Sequence, residues 1–204
     1  MIQFSPCKIN LGLSILEKRA DGFHALETVF YPVALQDIVE IVPAKLFAFT
    51  HTGISIPGDA SNNLCVKAYH LLKADYPHIS DVKIHLHKNI PMGAGLGGGS
   101  ADGSTVLLML NDLFNLNISK TQLINYAARL GSDCPFFIFK EACHATGRGE
   151  ILAPISIDLS NYTIALVHPG IHIATSWAFQ QLKPCVKEKS ILTIIKQPIE
   201  TWKA

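Results

Sequence analysis

Residues 91–101, with the sequence PMGAGLGGGSA, constrain the fold more than any other stretch, because they hold five of the chain's 14 glycines. A segment with strand-like alternation, residues 82–90, precedes them, and the apolar run 106–110 follows in a helix-like pattern. Glycine permits positive φ and close approach of a ligand to the backbone. The first N–H groups of a helix are unpaired and lie at the positive end of its dipole. The order strand, glycine loop, helix therefore predicts an anion site, most often for phosphate. The alternative is a flexible linker, which the flanking strand and helix disfavour.

Composition indicates a globular protein without an evident nucleic-acid or membrane partner. The 204 residues suffice for one large domain or two small ones. Hydrophobic residues make up 49% and charged residues 16%, which argues against disorder. The formal net charge is +1 and no polybasic stretch occurs, so nucleic acid is not an expected partner. The chain has no apolar run of membrane-spanning length and no signal-like start, so we expect no membrane contact and a cytoplasmic location. The sequence does not indicate an oligomeric state.

Cysteine and histidine spacing does not predict a disulfide framework or a metal site. The five cysteines are odd in number and include no C-x-x-C pair. His85 and His87 share one face of a predicted strand, but no third ligand stands at a suitable spacing. We interpret these residues as ordinary structural side chains.

Hydrophobic periodicity predicts an α+β fold without internal repeats. Strands are expected at residues 8–16, at 28–42 as one or two strands broken near Pro32, at 47–57 as a short hairpin, and at 82–87 and 162–167. Helices are expected at residues 62–73, 100–114, 120–130, 175–182 and 190–195.

Three side chains outside the glycine loop each have two interpretations. Lys8 and Asn10 project from the same face of the first predicted strand, which is either a solvated face or part of a site. Asp133 follows the end of a predicted helix and precedes Pro135 by two residues. Its carboxylate is either a helix N-cap or a group at the edge of a site, and the two roles do not exclude each other.

Two common phosphate loops do not fit the glycine stretch. The spacing Gly93-x-Gly95-x-x-Gly98 matches the dinucleotide fingerprint only formally, because that motif needs an acid at the end of the next strand and Asp112 lies inside a predicted helix. The P-loop pattern fails because no Lys follows the glycines. The protein-kinase motifs H-R-D and D-F-G are absent.

The glycine stretch resembles the phosphate loop of the GHMP kinases, a superfamily that includes galactokinase, homoserine kinase and mevalonate kinase. Residues 6–11 (PCKINL) resemble the N-terminal motif of the same superfamily. Four further segments resemble the branch that acts on a cytidine-diphosphate sugar alcohol: residues 19–24 (RADGFH), 62–64 (NNL), 131–135 (GSDCP), and 168–170 (HPG) followed by Thr175.

The resemblance implies the GHMP kinase fold and two domains. Residues 1–152 would form the N-terminal ATP-binding domain, which is similar to the second domain of ribosomal protein S5. Residues 153–204 would form the start of a second α+β domain.

The implied reaction transfers the γ-phosphate of ATP to the C2 hydroxyl of the acceptor, a step of the non-mevalonate isoprenoid pathway, with Mg²⁺ whose ligands the sequence does not identify. Asp133 matches the catalytic base and Lys8 the lysine that pairs with it. Asn10 would hold the hydroxyl region of the acceptor, and Phe23, His24, Thr175 and Phe179 would hold its cytosine. Asn63 and Lys88 would lie near the ATP base and phosphates. The loop residues that would bind ATP are Pro91, Met92, Gly93, Ala94, Gly95, Leu96, Gly97, Gly98, Gly99, Ser100 and Ala101.

The sequence departs from the family pattern at two places. Phe23 stands where the family usually has Tyr, so stacking is retained without a hydroxyl. No glycine follows Gly170, although GHMP kinases have a third glycine-rich motif late in their second domain, so we expect a C-terminally truncated form. Two alternatives stay open at this point: a nucleotide-binding module with little catalytic activity, and a kinase for another small alcohol. The aromatic residues Phe23 and Phe179 disfavour the second, because a small aliphatic alcohol offers nothing to stack on.

Overall fold

The computed structural model describes residues 1–170, Ala178 and residues 189–202, and these form a mixed α+β structure. Six strands form one sheet: β1 (Ile2–Lys18), β2 (His24–Ala44), β3 (Ala48–Gly53), β4 (Asp81–Lys88), β5 (Cys143–Thr146) and β6 (Ile151–Pro154). The helices are α1 (Leu64–Asp75), α2 (Gly98–Leu113), α3 (Lys120–Leu130), α4 (Cys134–Phe139) and α5 (Ile191–Ile195), with 3₁₀ turns at Ala60–Asn62 and Ile199–Thr201. The predicted α+β class is confirmed.

The long strand β2 is the centre of the sheet. From His24 to Glu40 it pairs antiparallel with β1, while its other edge pairs with β5 near Phe30 and with β4 from Ile38 onward. The predicted break near Pro32 does not occur, because a register shift lets Pro6 pair with Gln36 while Cys7 pairs with Val33. Proline is tolerated in a strand beside such a bulge.

Two other strand predictions were wrong. Residues 47–57 do not form a hairpin; β3 instead pairs in parallel with β4, and helix α1 lies between the two strands in the chain. Residues 162–167 form no strand, although their composition is rich in β-branched and apolar residues. Both outcomes depend on long-range pairing, which local periodicity does not report.

The helices were predicted more accurately. Helix α3 has the predicted bounds, because Ser119 and Gln122 form a capping box at its start and Gly131 ends it. Helix α5 lies within the predicted range 190–195, with Ser190 as its N-cap. The predicted helix 175–182 lies outside the described residues.

The main core fills the space between the sheet and helices α1, α2 and α3. Its sheet side includes Val39 and Ile41 of β2 and Ile84 of β4, all at most 1% exposed. Ten of the 16 residues of helix α2 are buried, and they lie on several faces of the helix. The glycine loop between β4 and α2 is therefore attached at both ends to the rigid core.

Candidate active site

The glycine loop has the conformation that its sequence predicts. Gly93, Gly95 and Gly97 have φ values of +68°, +71° and +70°, which is the left-handed region that other residues adopt only with strain. Gly97 occupies the N-cap position of α2, and no side chain caps this helix. The first N–H groups of α2 consequently face the loop without a side-chain partner, as in anion-binding helix starts.

The loop is held against strand β1 and helix α4. The backbone N–H of Lys8 donates to the Leu96 carbonyl over 2.9 Å. A Cβ atom on Gly97 would lie 2.9 Å from Cζ of Phe137 and 3.2 Å from Cγ of Lys8. The loop can therefore approach Lys8 this closely only with glycine at position 97.

We expect Gly97→Ala to lower the free energy of unfolding by about 2 kcal/mol or more, because left-handed φ costs an L-residue roughly 1–2 kcal/mol and the new methyl adds a clash. Urea unfolding measures this loss. Gly99→Ala is the matched control, because Gly99 lies in helix α2 and a Cβ there would have no neighbour within 4 Å. The control should be neutral or slightly stabilising. Equal losses of unfolding free energy in Gly97→Ala and Gly99→Ala would contradict a specific need for glycine at position 97.

The loop borders a cleft of about 800 Å³. The other walls come from β1, the β1–β2 turn, β2 and the start of α4. The predicted site residues that line it are Lys8, Asn10, Phe23, His24, Lys88, Pro91, Met92, Gly93, Ala94, Gly95, Leu96, Gly97, Gly98, Gly99, Ser100 and Asp133. The structure thus brings together groups that lie up to 125 positions apart in the sequence (Lys8 to Asp133).

Two of the predicted residues that the structure describes do not line the cleft. Ala101 is fully buried in α2. Asn63 is the N-cap of α1, where its side chain accepts from the N–H of Cys65. Thr175 and Phe179 lie outside the described residues. The nucleotide or acceptor contacts of these four stay predictions.

Lys8, Asn10 and Asp133 form the polar centre of the cleft. The Lys8 ammonium lies 3.7 Å from Oδ2 of Asp133 and donates to Oδ1 of Asn10 over 2.7 Å. The Asn10 amide donates to the Thr28 hydroxyl over 2.8 Å, and that hydroxyl donates to the Gly12 carbonyl over 2.6 Å. This chain of hydrogen bonds fixes the orientation of Asn10, so its oxygen remains directed at the lysine.

Burial lowers the pKa of Lys8, and the nearby Asp133 carboxylate opposes that shift. The ammonium also lies 4.9 Å from the centroid of the Phe30 ring, which favours a cation. Only 5% of Lys8 is exposed, so its charge acts in a poorly solvated environment.

Asp133 is not a conventional helix cap. It precedes α4 at the N-cap position, but its side chain makes no capping hydrogen bond. Its carboxylate is 36% exposed and lies at the lysine. Of the two interpretations that the sequence left open, the structure favours a carboxylate at a site.

Lys88 forms a buried cluster with Asp37 and Asp102. Its ammonium donates to Oδ2 of Asp37 over 2.5 Å and to Oδ2 of Asp102 over 2.8 Å, and all three side chains are at most 2% exposed. Burial depresses the pKa of Lys88, but the two carboxylates outweigh it and the pKa lies above its ordinary value. Burial raises the pKa of Asp102 to about 7, the Asp37 charge adds to this, and Lys88 opposes it.

The cluster was not foreseen from the sequence. Asp37 lies in β2 and Asp102 in α2, and the sequence shows no motif that links either carboxylate to Lys88. Oδ1 of Asp37 accepts from the N–H groups of Asn89 and Ile90, so the cluster fixes the chain where β4 leads into the glycine loop. The ammonium of Lys88 is therefore hydrogen-bonded to two carboxylates in the structure.

One wall of the cleft carries the exposed ring of Phe23, which is 52% accessible. The Arg148 guanidinium carbon lies 4.8 Å from the centroid of this ring. Sequence reasoning missed Arg148, because a lone Arg between two glycines has no distinctive spacing. No described helix is both long enough and apolar enough to cross a membrane.

A glycine loop at a helix start, facing a buried lysine and a carboxylate across one cleft, is the arrangement of a small-molecule kinase. A profile of the GHMP kinases N terminal domain matches residues 63–141, which places the chain in that class.

The relatives define the family more narrowly. The chain is 48% identical over 205 residues to the 4-diphosphocytidyl-2-C-methyl-D-erythritol kinase of Cytophaga hutchinsonii, covering 100% of this chain and 76% of the relative. It is 48% identical over 207 residues to the enzyme of the same name from Bacteroides thetaiotaomicron, covering 100% of this chain and 75% of the relative. The chain belongs to the 4-diphosphocytidyl-2-C-methyl-D-erythritol kinase family.

Solved structures agree with this family. A crystal structure of 4-(cytidine 5'-diphospho)-2C-methyl-D-erythritol kinase has a TM-score of 0.78 and 32% identity, covering 96% of this chain and 70% of the other. The mevalonate kinase of Methanococcus jannaschii has a TM-score of 0.56 and 14% identity, covering 76% of this chain and 56% of the other, and supports the fold alone.

Proposed function

We propose that the protein phosphorylates the C2 hydroxyl of 4-diphosphocytidyl-2-C-methyl-D-erythritol with ATP. The observation that carries this proposal is the 3.7 Å approach of the Lys8 ammonium to the Asp133 carboxylate, in the same cleft as the glycine loop. Family membership supplies the acceptor. Use of ATP is consistent with the predicted cytoplasmic location.

The glycine loop binds the ATP phosphates. Its left-handed glycines and the free N–H groups at the start of α2 supply donors that no side chain blocks. Phosphoryl transfer requires positioning and charge stabilisation more than covalent chemistry from the protein. The loop meets both needs because its backbone is fixed by β1 on one side and by the Lys88 cluster on the other.

Asp133 accepts the proton of the acceptor hydroxyl as that oxygen attacks the γ-phosphorus. The partly exposed carboxylate can reach a substrate, and the Lys8 ammonium lies 3.7 Å from it. The same ammonium offsets the charge that develops on the phosphoryl oxygens. Asn10, held by Thr28, orients the lysine and lies where the hydroxyl enters.

Mg²⁺ fits this site as an ion that arrives with ATP. Among the described residues no group of three or more His, Cys, Asp or Glu side chains could hold a metal ion. Mg²⁺ typically keeps several waters and binds through one or two carboxylates and the substrate phosphates. The cleft offers the Ser100 hydroxyl as an oxygen ligand, while Asp133 is assigned to the acceptor hydroxyl. Bound there, the ion would neutralise phosphate charge.

Coupled ADP release with a panel of acceptors tests the proposal. We expect turnover with 4-diphosphocytidyl-2-C-methyl-D-erythritol and at least a hundredfold lower kcat/KM with homoserine and mevalonate, because neither offers a base to the Phe23 ring. Preference for one of the small alcohols would overturn the acceptor assignment. ATP binding by calorimetry without turnover on any acceptor would reduce the proposal to a nucleotide-binding module.

A further inference from the structure

Arg148 lines the acceptor side of the cleft and has no role in the mechanism above. It lies in the turn between β5 and β6, and its guanidinium carbon is 4.8 Å from the centroid of the Phe23 ring. A cation over this ring brings positive charge to the end of the cleft where the cytosine is expected to bind.

The turn that carries Arg148 is rigidly attached to the sheet. Gly147 and Gly149 flank it with φ values of +69° and +106°. The Gly147 carbonyl accepts from the N–H of Leu26 over 2.8 Å, and the Arg148 N–H donates to Oε2 of Glu150 over 2.5 Å. These bonds fix the backbone of Arg148 beside the start of β2, so its side chain is directed into the cleft before any ligand arrives.

The guanidinium is poorly satisfied in the structure. Its Nε atom is buried and has no hydrogen-bond partner among the described residues. Its ion-pair partner is Oε1 of Glu150, 3.5 Å from Nε, which is too long for a strong charged hydrogen bond. Because the buried Nε atom is closed to a ligand, a ligand contact must come from the exposed part of the side chain, which is 38% accessible and whose terminal nitrogens make no hydrogen bond with the described residues. Guanidinium donors match phosphate oxygens geometrically.

We propose that Arg148 binds the diphosphate of the acceptor. This inference rests on the proposed function. The acceptor's base is assigned to Phe23 and its reacting alcohol to Lys8 and Asp133, and the diphosphate joins these two ends covalently.

The two lysines that line the described cleft already have charged or hydrogen-bonding partners. Lys8 is bonded to Asn10 and paired with Asp133. Lys88 is held by two carboxylates. Arg148 is the remaining Lys or Arg that lines the cleft in the described part of the chain, and its side chain is 38% exposed, so it can contact a second anionic group.

Calorimetry with CDP and with cytidine, each in the presence of a saturating non-hydrolysable ATP analogue, tests this assignment without requiring turnover. We expect Arg148→Gln to weaken CDP binding about tenfold or more, the usual scale for a hydrogen bond to a charged group, and to change cytidine binding less than about twofold. Arg148→Lys should restore part of the CDP affinity as a point charge. Arg129→Gln is the matched control, because Arg129 is an exposed arginine on α3 that pairs with Asp75 away from the cleft.

Three outcomes would overturn the inference. Equal weakening of CDP and cytidine would mean that Arg148 acts through the Phe23 ring. Unchanged CDP affinity in Arg148→Gln, with a wild-type melting temperature, would mean that the guanidinium contacts no phosphate. If the wild type binds CDP no more tightly than cytidine, the diphosphate adds nothing to binding, and Arg148 does not recognise it. Failure of the proposed function is distinct, because it appears as absent turnover in the wild type.

Discussion

Asp133→Asn is expected to lower kcat by about 10²–10⁴-fold, the range for loss of a positioned general base. The amide keeps the shape of the carboxylate but cannot accept the hydroxyl proton, so the KM for ATP should change little. Steady-state ADP release at saturating acceptor measures the effect. The fold should survive, because the Asp133 side chain makes no capping bond and is partly exposed.

Asp112→Asn is the matched control for this variant. Asp112 is an exposed carboxylate on α2 and does not line the cleft, so its removal should leave kcat within about twofold. Wild-type turnover in Asp133→Asn would remove Asp133 from the mechanism. A loss of kcat accompanied by an equal loss of ATP binding would instead assign Asp133 to nucleotide or metal binding.

The glycine loop and the Lys8–Asp133 pair could be anticipated from the sequence for different reasons. The loop is a local feature, because left-handed φ at Gly93, Gly95 and Gly97 depends on the residues themselves. The pairing of Lys8 with Asp133 came from a family pattern, since local periodicity contains no information on contacts between residues so far apart. The structure adds the hydrogen bonds that hold Asn10 against Lys8, which the family pattern does not contain.

The parallel pairing of β3 with β4 and the burial of Lys88 were beyond local reasoning. The sequence around β3 has turn glycines on its C-terminal side, which favour a hairpin until the partner strand is known. Lys88 ends an alternating strand, where a lysine is normally solvated. It becomes buried because Asp37 and Asp102 approach it from β2 and α2, and each contributes a carboxylate that no sequence window around Lys88 contains.

Lys88→Met is expected to lower the free energy of unfolding by about 3–5 kcal/mol, the usual cost of removing one partner from a buried ion pair. The variant leaves two carboxylates facing each other without a cation, and Oδ1 of Asp102 already lacks a hydrogen-bond partner within the described structure. Urea unfolding measures the loss. Lys73→Met is the matched control, because Lys73 pairs with Asp81 at 3.3 Å while 30% exposed, and such pairs contribute about 1 kcal/mol or less.

Adding Asp102→Asn to Lys88→Met should recover part of the lost stability, because it removes one of the two uncompensated charges. The single Lys88→Met variant should also bind ATP more weakly, since Asp37 both holds Lys88 and accepts from the N–H groups of Asn89 and Ile90 at the start of the glycine loop. If Lys88 instead contacts ATP and does not stabilise the fold, Lys88→Met will weaken ATP binding. Its loss of unfolding free energy will then be as small as that of Lys73→Met. The two measurements together therefore decide whether this lysine holds the phosphate loop in place or binds the nucleotide itself.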